Sequence, residues 1–297
     1  MKNQDYLYLD HAASTPMRKS ALDKYIEAES FGFANSSGGH KLSRNSKNLL
    51  EDSREIIAEL FDSAPSEIIF TSGGTEADNW TIKSLFDSKQ PNNNLVTSNI
   101  EHEAVLASAE WISSNGFQTK YAKSDENGFV TKDEFIKQID DETKVASLMW
   151  GNNETGVIQP IKDISKELKS TNSSTLFHSD VVQGIISDNV DFHINGIESA
   201  AISAHKIGGP KGVGAMFIAK KIDEYQEMAL NKLAETTAKL DREMGEWAAR
   251  EEEGLFERFG INLGRLSALG EAKVATQEAM EQMGQNKEKF MADSATQ

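Results

Sequence analysis

An α/β fold is predicted, with a mainly parallel sheet of the seven-stranded kind and helices on both faces. Three observations carry that prediction. Short apolar runs alternate with helix-length amphipathic segments from about residue 43 to residue 218. The segments between runs are long enough to act as crossover helices, which parallel neighbours require. Glycine-rich polar clusters fall where the runs end, and in parallel sheets ligands bind at the carboxyl ends of strands.

The elements follow in order. Residues 6–10 alternate briefly and meet the turn His11–Pro16, which leads into a helix near 21–30. Residues 31–40, with Asn35-Ser-Ser-Gly-Gly, read as a loop of residues that tolerate the left-handed region. Leu49, Ile56, Ile57 and Leu60 share one helical face, so 43–61 is a helix. Strands are then expected at 68–70, 95–97, 117–122, 145–150 and 176–178, and as a pair at 200–202 and 215–218. The intervening helices are expected at 75–85, 103–113, 131–139 and 161–169. Beyond Lys221 no strand-like run remains, and all five prolines lie at or before Pro210. Leu230, Leu233, Thr237, Leu240, Met244 and Trp247 recur at spacings of three and four, a heptad-like seam. The chain therefore divides into 1–221, the α/β part, and 222–297, an all-helical tail.

Composition narrows the functional classes. The 297 residues are 38% hydrophobic, with 14 Phe and 4 Trp, enough for a sizeable core. A net charge of -16 argues against nucleic acid and against an anionic membrane surface. With no cysteine there are no disulfides, no thiolate metal sites and no cysteine nucleophile. No apolar run reaches the roughly 18 residues of a membrane span. The start, Met-Lys-Asn-Gln-Asp-Tyr, lacks the apolar core of a signal peptide, so a cytoplasmic protein is expected.

The polar clusters carry the chemistry. Ser203-Ala-His205-Lys206 delivers a hydroxyl, an imidazole and an amine at the mouth of one strand, followed by Gly208 and Gly209. Burial and neighbouring cations lower an amine's pKa, and the free amine can form a Schiff base. Read alone, the tetrapeptide favours a surface loop with an ordinary lysine; the upstream clusters change the balance. Thr71-Ser-Gly-Gly74-Thr75-Glu, between a strand and a helix, is an anion cradle suited to a phosphate, with Thr75 adding a hydroxyl. It lacks the lysine of a nucleotide-binding P-loop. His102 opens a helix at another strand end, where it is either a cap or a flat ring to stack on an aromatic cofactor. Asn153 lies in an amide and carboxylate cluster beside Gly156, which a polar turn would also explain. Asp180 follows a buried strand, where a carboxylate is costly unless a cation meets it, and a protonated pyridine nitrogen is such a cation. A phosphate cradle, a flat ring, an amide, a carboxylate and an amine together are what pyridoxal 5'-phosphate needs.

Tyr8-Leu-Asp-His-Ala-Ala13, Phe70-Thr-Ser-Gly-Gly-Thr-Glu-Ala-Asp-Asn79, Glu101-His102, Asn152-Asn-Glu-Thr-Gly156, His178-Ser-Asp-Val-Val-Gln183 and Ser203-Ala-His-Lys-Ile-Gly-Gly-Pro-Lys-Gly-Val-Gly214 resemble the cysteine desulfurases. These are class-V aminotransferase relatives among the fold-type I pyridoxal-phosphate enzymes. The resemblance runs from about residue 6 to about residue 220. It implies that Lys206 holds the cofactor as an imine, that Asp180 pairs with the ring nitrogen, and that His102 stacks on the ring and assists proton transfer. Asn153 and Gln183 would address the ring's 3-oxygen, and Gly74, Thr75, Ser203 and His205 the phosphate. Asn35 falls where the family meets the substrate carboxylate. The implied substrate is L-cysteine, converted to alanine with a persulfide for iron-sulfur cluster assembly, in a homodimer or in pairing with another desulfurase subunit.

The sequence departs from that pattern after Lys206. It has no cysteine to take the sulfur, no Arg-Ser-Gly-Thr segment after the lysine strand and no later arginine for the substrate carboxylate. Sulfur transfer by these residues alone is therefore not expected. The alternative is a cofactor-binding but desulfurase-inactive protein whose acidic tail binds a partner.

Overall fold

The computed structural model describes residues 7–86, 91–171, 175–187 and 191–219. Helices α1 (Lys19–Phe31) and α2 (Lys41–Leu60) precede the sheet. The chain then runs through β1 (Ile68–Thr71), α3 (Gly74–Ser84), β2 (Asn94–Ser98), α4 (Glu103–Ser114), β3 (Gln118–Ala122) and α5 (Lys132–Ile136). It continues through β4 (Thr143–Ser147), α6 (Ile161–Ser170), β5 (Leu176–Asp180), the single turns α7 (Gly184–Ser187) and α8 (Phe192–Asn195), β6 (Ser199–Ser203) and β7 (Gly214–Ile218). The expected helical tail and its seam lie outside the described residues.

The strands form one sheet in the order β1-β7-β6-β5-β4-β2-β3. Strands β3, β2, β4, β5 and β6 run parallel to one another, and β7 runs antiparallel to both β6 and β1. The reversal has a local cause. Only a short, glycine-rich link with a 3-10 turn joins β6 to β7, and a parallel return needs a longer crossover.

Strand alternation sorts the sheet's two faces. Ala200, Ile202, Ala215 and Phe217 face one side, where Ala58 of α2, Phe135 of α5, Ile161, Ile164 and Leu168 of α6 and Phe192 of α8 complete the main core. Phe192 packs between Phe61 and Phe217, 4.5 Å from each by ring centroid. Ala201 and Met216 point the other way, against Ala77 of α3. With both faces covered the strands read as continuous apolar runs, which is why they were legible. Helix α5 stops at Ile136, short of the expected 139, because residues 138–143 turn into β4. The expected strand at 145–150 is displaced to β4; residues 148 and 150 still bond β5, through Leu148 N–H to His178 O and Trp150 N–H to Asp180 O.

Candidate active site

At the carboxyl ends of β2, β5 and β6 lies a cavity of about 280 Å³. Its lining includes nine of the ten predicted residues: Gly74, Thr75, His102, Asn153, Asp180, Gln183, Ser203, His205 and Lys206. Asn35 is not among the lining residues; its Oδ1 accepts from the Ser37 N–H and Oγ, both at 3.0 Å, as a turn-forming asparagine does.

Each wall has a local cause. Helix α3 starts at Gly74, and a side chain there would press its Cβ within 2.8 Å of Val182 Cγ2, so glycine lets the helix start and the loop after β5 close on one another. The free N–H groups at that start, beside the Thr75 hydroxyl, suit an anion. His102 is the N-cap of α4, its Nδ1 accepting from Ala104 N–H at 3.1 Å. A neutral ring so placed carries its proton on Nε2. The Asn152 Oδ1 accepts from Glu154 and Thr155 N–H at 2.9 and 2.8 Å, forming the turn that presents Asn153.

Asp180 ends β5, with Oδ1 accepting from Val182 N–H at 2.9 Å. Burial pushes its carboxyl up to about 7, and the nearby Asp78 pushes the same way. Lys206 sits in the 3-10 turn after β6. Its amine donates to the carbonyls of Ala12 and Ala13 at 2.6 and 3.1 Å. Burial lowers its pKa, while Asp180 and Asp10 oppose that. His205 is lowered by burial and by the charges of Lys206 and Lys211. Its Nδ1 lies 3.2 Å from Ser14 Oγ, and its backbone carbonyl accepts from Thr15 N–H and Oγ1 at 2.9 and 2.7 Å. Gln183 Nε2 donates to Ala12 O at 2.9 Å. Residues 10–18 thus strap the lysine turn down.

Four further lining residues, Ala13, Asp78, Met149 and Val182, were not singled out from sequence. Asp78 could have been: a carboxylate in the helix that follows a phosphate cradle is unusual on a buried face. Glu101 sits just behind, its Oε1 accepting from Ser98 Oγ at 2.7 Å and Met149 N–H at 3.0 Å. Burial pushes it up to about 8 against those two hydrogen bonds.

A family profile described as aminotransferase class-V matches residues 7–257. The chain belongs to the class-V aminotransferase family. That match runs past residue 221. Among curated relatives, the cysteine desulfurase IscS of Methanosarcina thermophila is 38% identical over 220 residues, 73% of this chain and 54% of that protein. The one from Dictyoglomus turgidum is 39% identical over 215 residues, 72% of this chain and 54% of the relative. The chain spans about half the length of the curated relatives it matches. Among solved structures, a NifS-like protein superposes with a TM-score of 0.70 at 35% identity, covering 73% of this chain and 60% of that one. SspA in complex with cysteine gives 0.69 at 34%, covering 72% and 61%.

Class-V aminotransferases are pyridoxal-phosphate enzymes. The residues present fit that group. Asp180 is a buried carboxyl held high for want of a cation, and a ring cation would reverse the shift. The glycine start of α3 leaves room for an anion, and an amine of lowered pKa stands on the same cavity.

Proposed function

We propose that this chain is a pyridoxal-phosphate enzyme of the cysteine desulfurase kind. The observation that carries the reading is one cavity bounded by the Lys206 amine, the buried Asp180 carboxyl and the glycine start of α3. Lys206 would hold the cofactor's aldehyde carbon, Asp180 its ring nitrogen, Gly74, Thr75, Ser203 and His205 its phosphate, and Asn153 and Gln183 its 3-oxygen. Bound there, the cofactor supplies an electron sink that makes the α-hydrogen of an amino acid acidic.

The chain's own residues do the rest. The lowered pKa of Lys206 favours a neutral amine, able to attack a carbonyl or to take a proton from Cα. His102, with Nδ1 tied to the helix, has Nε2 left to carry a proton at the cavity wall. The substrate proposed is L-cysteine, and the balanced reaction is L-cysteine plus a thiol giving alanine plus a persulfide. Since these 297 residues contain no cysteine, the accepting thiol is external to them.

Purified chain given pyridoxal phosphate is expected to absorb at about 420 nm. Lys206→Ala should lose that band, and a colourless wild type in excess cofactor would defeat the reading. Alanine should then form from L-cysteine when a small thiol such as dithiothreitol is present, and much less without it. We also propose a homodimer, supported by the exposed Leu22, Tyr25, Ile26 and Phe31 of α1; sedimentation as a clean monomer would overturn it.

A further inference from the structure

Under the cavity floor a row of side chains crosses from α3 through β5 and β6 to β7. Asp78, Thr81, His178, Ser199 and Met216 are each at most 2% exposed. His178 and Ser199 are register partners on adjacent strands, so their side chains share a face. Asp78 Oδ1 lies 3.0 Å from His178 Nε2, and His178 Nδ1 lies 3.1 Å from Ser199 Oγ. Ser199 Oγ is 2.8 Å from Thr81 Oγ1, whose hydroxyl donates to Met216 Sδ at 3.2 Å.

The last member fixes the polarity of the whole chain. A thioether has no hydrogen to give, so the single hydroxyl proton of Thr81 is committed to Met216. Thr81 Oγ1 then accepts from Ser199, and Ser199 Oγ accepts from the Nδ1–H of His178. A neutral imidazole protonated on Nδ1 offers a lone pair at Nε2. Asp78, facing that lone pair, must bring the proton. The charge-separated alternative, aspartate with imidazolium, would place two full charges out of reach of water. Burial works against it at both partners, pushing Asp78 up to about 8 and His178 down to about 4.

We propose that Asp78 is a positioning residue that stands as a neutral carboxylic acid, its proton aimed by the His178–Ser199–Thr81–Met216 chain, and that it thereby confines the negative charge of the cavity floor to Asp180. The consequence for the cofactor rests on the function proposed above; the protonation of Asp78 does not. The ionisable groups around it are Asp180 and His178 on β5, Glu101 and His102 between β2 and α4, and Lys206 after β6. Asp78 and Asp180 line the same cavity and oppose each other's ionisation. With Asp78 neutral, the anion stands on Asp180. With Asp78 ionised, Asp180 would be driven to hold the proton, and the charge would sit on the wrong carboxyl.

Infrared spectra of the full chain without cofactor at pH 7, with carboxyl-labelled aspartate, test this. The wild type should show a protonated-acid carbonyl band that shifts with the label, which separates it from Glu101. Asp78→Asn should remove the larger part of the band, the remainder belonging to Asp180, and Asp180→Asn should leave the Asp78 part in place. Ser199→Ala deletes the side-chain acceptor of the Nδ1–H, leaving only the backbone of residue 199 to hold it, and weakens the preference for that tautomer over one with Nε2–H toward Asp78. There the band should fall by at least half, and cofactor affinity should fall about tenfold for each unit by which the Asp180 pKa rises. A wild type without a labelled acid band, or a band unchanged in Ser199→Ala, would overturn the proposal. The wild type and Asp180→Asn decide the protonation state even if Asp78→Asn fails to fold. A chain that shows the band yet binds no cofactor refutes the proposed function alone; a coloured protein without the band refutes only the Asp78 assignment.

Discussion

The two ends of the sheet treat their carboxyl groups in opposite ways. At the amino ends, Asp140 accepts from Asn94 Nδ2 at 2.8 Å, from Thr143 Oγ1 at 3.0 Å and from the Lys120 amine. Burial alone would raise it, but these donors outweigh that and hold it at about 2. At the carboxyl ends, Asp78, Glu101 and Asp180 are all held high by burial, at about 8, 8 and 7. One end carries its own cations; the other is balanced only when something positive arrives. Perturbed carboxyls gathered at and just behind one cavity mark a site, whereas a satisfied cluster marks scaffold.

That contrast can be broken by experiment. The largest expected effect is Asp180→Asn, which removes a charge-assisted hydrogen bond and should weaken cofactor binding about 100-fold in an absorbance titration. Asp140→Asn should leave it near wild type, and equal losses would erase the distinction. Next comes the pH dependence of stability without cofactor. Three carboxyls raised in the folded state contribute stability that is present below about pH 4 and lost as pH rises through 7 to 8. Urea unfolding should therefore show a decline on the order of 2 kcal/mol between pH 6 and pH 9, reduced by saturating cofactor. Gly74→Ala, whose Cβ would meet Val182, should cost about tenfold in cofactor affinity, or about 1.4 kcal/mol, read in the same absorbance titration. The smallest effect is Asp140→Asn on stability, about 1 kcal/mol given its partial exposure. Because Asp140 is depressed, that contribution should fade as pH drops from about 4 toward 2.

Much of this was legible in the sequence. Helix and strand centres followed from period, and the strand-end polar clusters converge because parallel strands point their carboxyl ends one way. What escaped has physical reasons. Helices α7 and α8 are single turns, too short to show a period, although Phe192 on α8 anchors the core. Asp78 and His178 meet across 100 positions, and nothing local to either residue announces the other. Asn35 was placed by resemblance, and its side chain is held by its own loop rather than by the cavity lining. The strap at 10–18 looked like a turn because its partners, His205 and Gly208, lie almost 200 positions downstream.

That strap has a bearing on how occupancy of the lysine is felt elsewhere. An unmodified lysine amine has at least two hydrogens and can satisfy both the Ala12 and Ala13 carbonyls, as here; once substituted at that nitrogen it would keep one at most. Loading would therefore strip the amino-terminal segment of at least one of its two lysine tethers, while Gln183 also holds Ala12. Limited proteolysis near residue 13 should then be faster in the loaded protein, so that the segment around Ala13 reports what the amine carries.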